Sequence, residues 1–359
     1  MPKRTIRRKL KSKKTTKSNS FIYFFLVLTV LLVCVSIPSF LDKKTVLHKN
    51  ALPQTATAEN MAGYLETVTN KLIKIENQQN PKVAMNQLKL LLTNNTIANN
   101  CHAITHKIGN DAYLKYESVS KALVYYDEMC GSGYIHGIIE QRFAAIKSDS
   151  EIYSILPSIC APQNTGMCYH GVGHGFMWYS SDNLPRALSD CDDLVTPYKV
   201  NNCYDGVFME NFEGDHDVHP TSYLNAQNPS YPCNQLDAKY KESCYFYSAR
   251  YYLALYPDKY LQGFSWCRTL ENGYQLTCIK GMGSAIMKQN INNPNVVASY
   301  CNNTQTNDEK VYCIDGLVSY YLTNYDSYSK GMDMCNTLPV VDQQQCYSST
   351  NNRKTLFPS

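Results

Sequence analysis

The sequence lacks the common enzyme signatures: it has no Cys-x2-Cys pair, G-x-S-x-G elbow, Walker loop, H-E-x-x-H string or dinucleotide fingerprint. Zinc-ribbon, serine-hydrolase, nucleotide triphosphatase and dinucleotide-dependent readings therefore have no support. Charge is also scarce, at 18% of 359 residues, and there are two tryptophans against 29 tyrosines. With 44% hydrophobic residues beside so little charge, a disordered polyelectrolyte is excluded. Length predicts two or three compact units or one elongated array. Net positive charge is missing from the bulk of the chain. The formal net charge is +4, yet the first twenty residues hold nine Lys or Arg and no acid, leaving 25 basic against 30 acidic residues. A nucleic-acid reader carries its basic surface on its folded part, so no nucleic-acid partner is expected.

Residues 1–20 form a basic tail, and Phe21 to Ile37 is an apolar run without charge, extendable through Leu41. Its length reaches the lower limit for a membrane span and exceeds the hydrophobic region of a signal peptide. The expectation is a signal anchor over 21–41 with the tail cytoplasmic and the body extracytoplasmic, be it periplasmic, extracellular or lumenal. A cleaved signal peptide is the alternative, and no clean small-x-small site follows the run. Residues 42–58 read as a linker, and 59–96, amphipathic over 59–77 and 82–93, as a helical cap.

Of fifteen cysteines, Cys34 lies in the apolar run and fourteen lie beyond it. An even set in an oxidising compartment reads as a disulfide framework. Six close couples stand out: 160/168, 191/203, 233/244, 267/278, 301/313 and 335/346, with Cys101 and Cys130 left over. The rival scheme joins 168 to 191 and 203 to 233 onward, stranding Cys160 and Cys346. Paired cysteines leave no nucleophile. Second members of the later couples recur at 34, 35 and 33 residues, a period that predicts paired helices.

Strings such as CYFYSARYYLALY and DKYLQGFSWCRTL read as helix A and helix B of one unit. On this period, pairing and cysteine placement, residues 97–350 resemble tetratricopeptide-like helical repeats, especially the cysteine-rich variety in which a disulfide staples neighbouring helices. The Trp, Leu-Gly and Pro pattern of the common consensus is missing. The resemblance implies an all-α, disulfide-stapled α-solenoid and a concave groove for a protein or peptide ligand; residues 351–359 are a tail.

Within 97–232 the repeat carries a ladder of ligand-type residues. His102, His136, His170 and Asp205 are spaced by 34, 34 and 35 residues, and four positions later come His106, Glu140, His174 and Met209, with Glu210 adjacent. Positions i and i+4 share a helix face, so each string presents two ligands side by side and stacking aligns the pairs. His with carboxylate suits Zn, Fe or Mn. In later units these positions are Phe246 and Arg250, Lys280 and Ser284, Asp315 and Ser319.

The expectation is a metal site of His102, His106, His136, Glu140, His170, His174 and Asp205, centred on His170 and His174. Glu140 or Glu210 is the candidate general base for a metal-activated water. The alternative is a polar groove lining in a non-enzymatic scaffold. Gly171, Gly173 and Gly175 weaken helix formation here and serve either substrate approach or close packing. The long Cys203 to Cys244 interval contains Asp215, His216 and His219, a loop that covers the ladder, adds ligands or is simply solvated.

Overall fold

The computed structural model describes residues 58–161, 165–216 and 220–357. The basic tail, apolar run, most of the linker and His219 lie outside the described residues. Every regular element among the described residues is helical, with seventeen α-helices, two 3-10 turns and no strand. No helix among them is long and apolar enough to cross a membrane.

The chain begins with α1 (Ala58–Gln78) and α2 (Pro81–Leu91), the two helices of the cap. Asn80 starts α2 by accepting a hydrogen bond from the Val83 amide, with Pro81 in the first turn where no amide is needed. A short α3 (Asn95–Asn99) follows.

Two alternating kinds of helix then build the body. The longer series is α4 (Cys101–Tyr116), α6 (Gly133–Ala144), α8 (Gly166–Tyr179), α10 (Pro197–Glu213), α11 (Ala238–Leu255), α13 (Gln275–Gln289), α15 (Asn307–Tyr325) and α17 (Val340–Asn351). Each packs on the next of that series. Between them lie α5 (Val119–Ala122), α7 (Asp149–Ile159), α9 (Leu184–Asp192), α12 (Tyr260–Cys267), α14 (Pro294–Cys301) and α16 (Tyr328–Thr337). Thr165, Thr196 and Thr306 start α8, α10 and α15 by accepting the amide three residues on.

The disulfides follow the close-couple scheme: Cys160–Cys168, Cys191–Cys203, Cys233–Cys244, Cys267–Cys278, Cys301–Cys313, Cys335–Cys346 and Cys101–Cys130, with Cα atoms 5.5 to 5.7 Å apart. Most tie the end of a shorter helix to the longer one after it.

Close backbone approach explains the glycines. A Cβ on Gly206 would lie 1.9 Å from the His170 carbonyl oxygen, and one on Gly173 would lie 2.1 Å from that of Cys203. The two residues let α8 and α10 touch main chain to main chain, and Gly175 fits against the Phe143 ring. Packing, not room for substrate, is their role, and α8 runs unbroken through them.

The first and last parts of this body meet, which differs from the open array with a concave groove expected from the repeat. Asn324 O accepts from Cys130 N at 2.7 Å and Thr323 O from Gly131 N at 3.0 Å. Asn292 Nδ2 donates to Leu92 O and Asn95 Oδ1, and Asn99 Nδ2 to Gln289 O. Ala98 of α3 is buried in the same apolar cluster as Ile291 and Val297. The polar faces of the long helices line a cavity of about 690 Å³ that opens to solvent.

Candidate metal centre

Three consecutive long helices supply the histidines as i, i+4 residues: His102 and His106 on α4, His136 with Glu140 on α6, and His170 and His174 on α8. Four converge. His102, His106, His136 and His174 each offer one ring nitrogen, and these nitrogens lie within 4.8 Å of one another. Ring centroids stand 4.6 Å apart for His102 and His106, 5.1 Å for His136 and His174 and 5.4 Å for His106 and His174.

The other nitrogen of each ring is held by an oxygen. His102 Nδ1 lies 2.7 Å from Cys130 O and His136 Nε2 lies 3.1 Å from Met167 O. His106 Nδ1 lies 3.1 Å from Glu140 Oε1, and His174 Nδ1 lies 2.6 Å from Glu210 Oε2. Carbonyls and carboxylates accept only, so these four nitrogens carry protons and the four inward ones present lone pairs. His136 Nδ1 and His174 Nε2 are buried without a hydrogen-bond partner, a cost that a bound cation removes. His102 Nε2 and His106 Nε2 are 3.0 Å apart, close to the ~3.3 Å between neighbouring nitrogens of a tetrahedral zinc with ~2.0 Å bonds.

Electrostatics match a cation-ready cluster. Burial, followed by neighbouring imidazoles, pushes His102 and His136 well below the usual histidine range. For His106 burial acts in the same direction but is overcome by Glu140, which raises it. Burial thus favours neutral imidazole, the form that binds metal, at His102 and His136.

Glu140, His174 and Glu210 form a second group of ligand-type atoms within 4.8 Å. The 2.6 Å between His174 and Glu210 is a charge-assisted hydrogen bond, shorter than the ~3 Å spacing of two atoms bound to one metal at ~2.0 Å. Glu210 therefore orients the His174 imidazole, as carboxylate partners of metal-bound histidines do, and Glu140 faces His106 Nδ1 at 3.1 Å. Neither stands as an unengaged base.

The remaining expected residues contribute no nitrogen or oxygen to the four-histidine group. His170 stacks on His136 at 4.9 Å, and its Nε2 meets Met209 Sδ at 3.3 Å. Half-buried Asp205 lines the cavity, its carboxyl pushed up to about 6 by burial despite a hydrogen bond from Ser243. Asp215 and His216 fall outside both ligand groups. His216 bonds the Asn211 carbonyl, and the loop returns to that residue through Thr221 and Tyr223.

Sequence reasoning missed the carbonyls of Cys130 and Met167, which have no side-chain signal. It also missed the cavity's other wall, where Arg250, Lys280, Ser284, Asp315 and Ser319 occupy the same registers as the histidines; that shared register was the available signal. No family model, curated protein or solved structure matches the chain.

Proposed function

We propose that this chain is a metal-binding protein of the cell envelope, in which His102, His106, His136 and His174 hold one divalent transition metal beside the cavity. The observation that carries this reading is the convergence of four lone pairs whose opposite ring nitrogens are all fixed by oxygens. An all-imidazole set suits zinc or iron better than manganese, which favours carboxylate ligands. Of the four, His102 lines the cavity, as does the neighbouring His170, so a small molecule reaches the centre from that side. Metal-dependent chemistry on such a molecule is the enzymatic form of the proposal. Glu140 and Glu210 are its positioning residues, because they fix the protonated nitrogens of His106 and His174.

The setting is part of the proposal. Seven disulfides favour an oxidising compartment. The basic tail before an apolar run favours an amino-terminal anchor with the body outside the cytoplasm. The helix pairs and the ~34-residue cysteine period favour a tetratricopeptide-like repeat. A cavity of about 690 Å³ has the size of a small-molecule site, which favours this reading over a peptide-binding scaffold. Elemental analysis of untagged protein tests the reading: about one equivalent of zinc or iron is expected, and a metal-free native protein would overturn it.

A further inference from the structure

We infer a second binding site on the cavity wall beside His170: an oxyanion subsite built on Arg250, which takes a small organic anion with a carboxylate or phosphate group on an aromatic body. It stands on geometry separate from the four histidines. Arg250 lines the cavity with a side chain only 8% exposed. One end of its guanidinium meets Glu213 and Nη2 donates to Ser284 Oγ, while Nε is buried without a hydrogen-bond partner. A buried, unpartnered guanidinium donor is costly, and an oxyanion is the ligand that its planar fork matches.

Charge around Arg250 favours an anion. Glu213 is shared by Arg250 and Lys288, and Asp315 by Lys280 and Arg353. Of these groups Arg250, Lys280, Lys288 and Asp315 line the cavity. Asp205 and Glu242 add negative charge on the α10 and α11 side, Glu242 on an exposed stretch of α11. The positive charge of this wall is therefore gathered on Arg250 of α11 and on Lys280 and Lys288 of α13.

The same wall offers aromatic surface and spare hydroxyls. The Arg250 guanidinium lies 4.9 Å from the Tyr247 ring centroid and 5.5 Å from that of Tyr320, so the rings fix it in place. Both hydroxyls are without a hydrogen-bond partner among the described residues, and both tyrosines line the cavity with Phe246. His170 is 6.3 Å from Tyr247, ring centroid to ring centroid. A ligand held by Arg250 therefore lies along the wall from the histidines.

Calorimetric titration of the full chain, purified in detergent, stripped of metal and held at low salt, tests the site with phenyl phosphate, benzoate and inorganic phosphate. Phenyl phosphate or benzoate should bind once per chain. Whichever of the two binds more tightly identifies the anionic group, and weaker inorganic phosphate identifies the aromatic wall as part of the site. Arg250→Lys keeps a charge for Glu213 but loses the fork, and should weaken the aromatic anion about tenfold. Tyr320→Phe should weaken it by a smaller factor and keeps the test valid should Arg250→Lys misfold. Lys147→Gln, on the exposed surface, should change nothing. Failure of all three probes to bind, equal affinity in Tyr320→Phe and the native chain, or binding only after metal is restored would each overturn the Arg250 site. The metal content of the native protein decides the four-histidine reading separately.

Discussion

The Nε2 atoms of His102 and His106 face each other at 3.0 Å one helical turn apart, while the Nδ1 of each ring is held by an oxygen. Two imidazole lone pairs at that distance need a cation between them. Glu140 raises the proton affinity of His106 against the effect of burial, which favours a proton in that place when no metal is bound. With metal, the proton is displaced and the four inward nitrogens share one ion.

The first prediction separates ligands from neighbours. His136→Ala and His174→Ala should each lose the metal measured by elemental analysis, since each removes one of four converging nitrogens. His170→Ala should keep it, as should the Lys280→Ala/Ser284→Ala double variant at the same registers farther along the ring. Loss in His170→Ala together with retention in His174→Ala would sink this ligand set.

The second prediction concerns the carboxylates. Glu140→Gln and Glu210→Gln leave an acceptor oxygen opposite each histidine but remove its charge, so metal should still bind with about 10- to 100-fold lower affinity. Competition against a chromogenic chelator reads this directly. Complete loss in either variant would make that carboxylate a ligand, contrary to the 2.6 Å hydrogen bond between His174 and Glu210.

Much of this site is legible in the chain because His102, His106, His136 and His174 recur at helix and repeat spacings, and spacing alone brings side chains to one face. Cysteine couples 8 to 12 residues apart are legible for the same reason: loops that short find few other partners. What spacing cannot give is direction. His170 has the periodicity of a ligand, yet its ring nitrogen turns to Met209. Ring closure was equally hidden, since it rests in part on main-chain bonds of Cys130 and Gly131 to residues nearly two hundred positions away, and main-chain groups are the same in every sequence.

The third prediction is a pH dependence of stability away from the metal centre. Glu76 is fully buried and neither carboxylate oxygen has a hydrogen-bond partner. Burial, with Asp111 adding to it and Lys115 opposing, raises its pKa from 4.5 to about 8. The folded state therefore holds this proton more tightly than the unfolded one. Stability is highest below the unfolded value near 4.5, falls as pH rises toward 8 and levels off beyond. Thermal melting of Glu76→Gln should show a shallower decline, so that its advantage over the native chain widens between about pH 5 and pH 8. Parallel curves for the two proteins would refute the assignment.

The last prediction asks whether close helix approach builds the site. A Cβ at Gly173 would fall 2.1 Å from Cys203 O and 2.7 Å from Val207 N, both main-chain atoms that cannot rotate away. Gly173→Ala must therefore push α8 from α10, at the ~1 to 3 kcal/mol typical of overpacking. The bond between His174 and Glu210 crosses that same interface, so separation should also lengthen it and lower metal affinity together with the melting temperature. Gly63→Ala supplies the control: nothing lies within 4 Å of its added methyl on exposed α1, and replacing a mid-helix glycine there should stabilise by ~0.5 to 1 kcal/mol with metal affinity unchanged. A Gly173→Ala protein that melts lower but binds metal as tightly as the native chain would show that the approach of the two helices serves packing alone and that His174 holds its place without it.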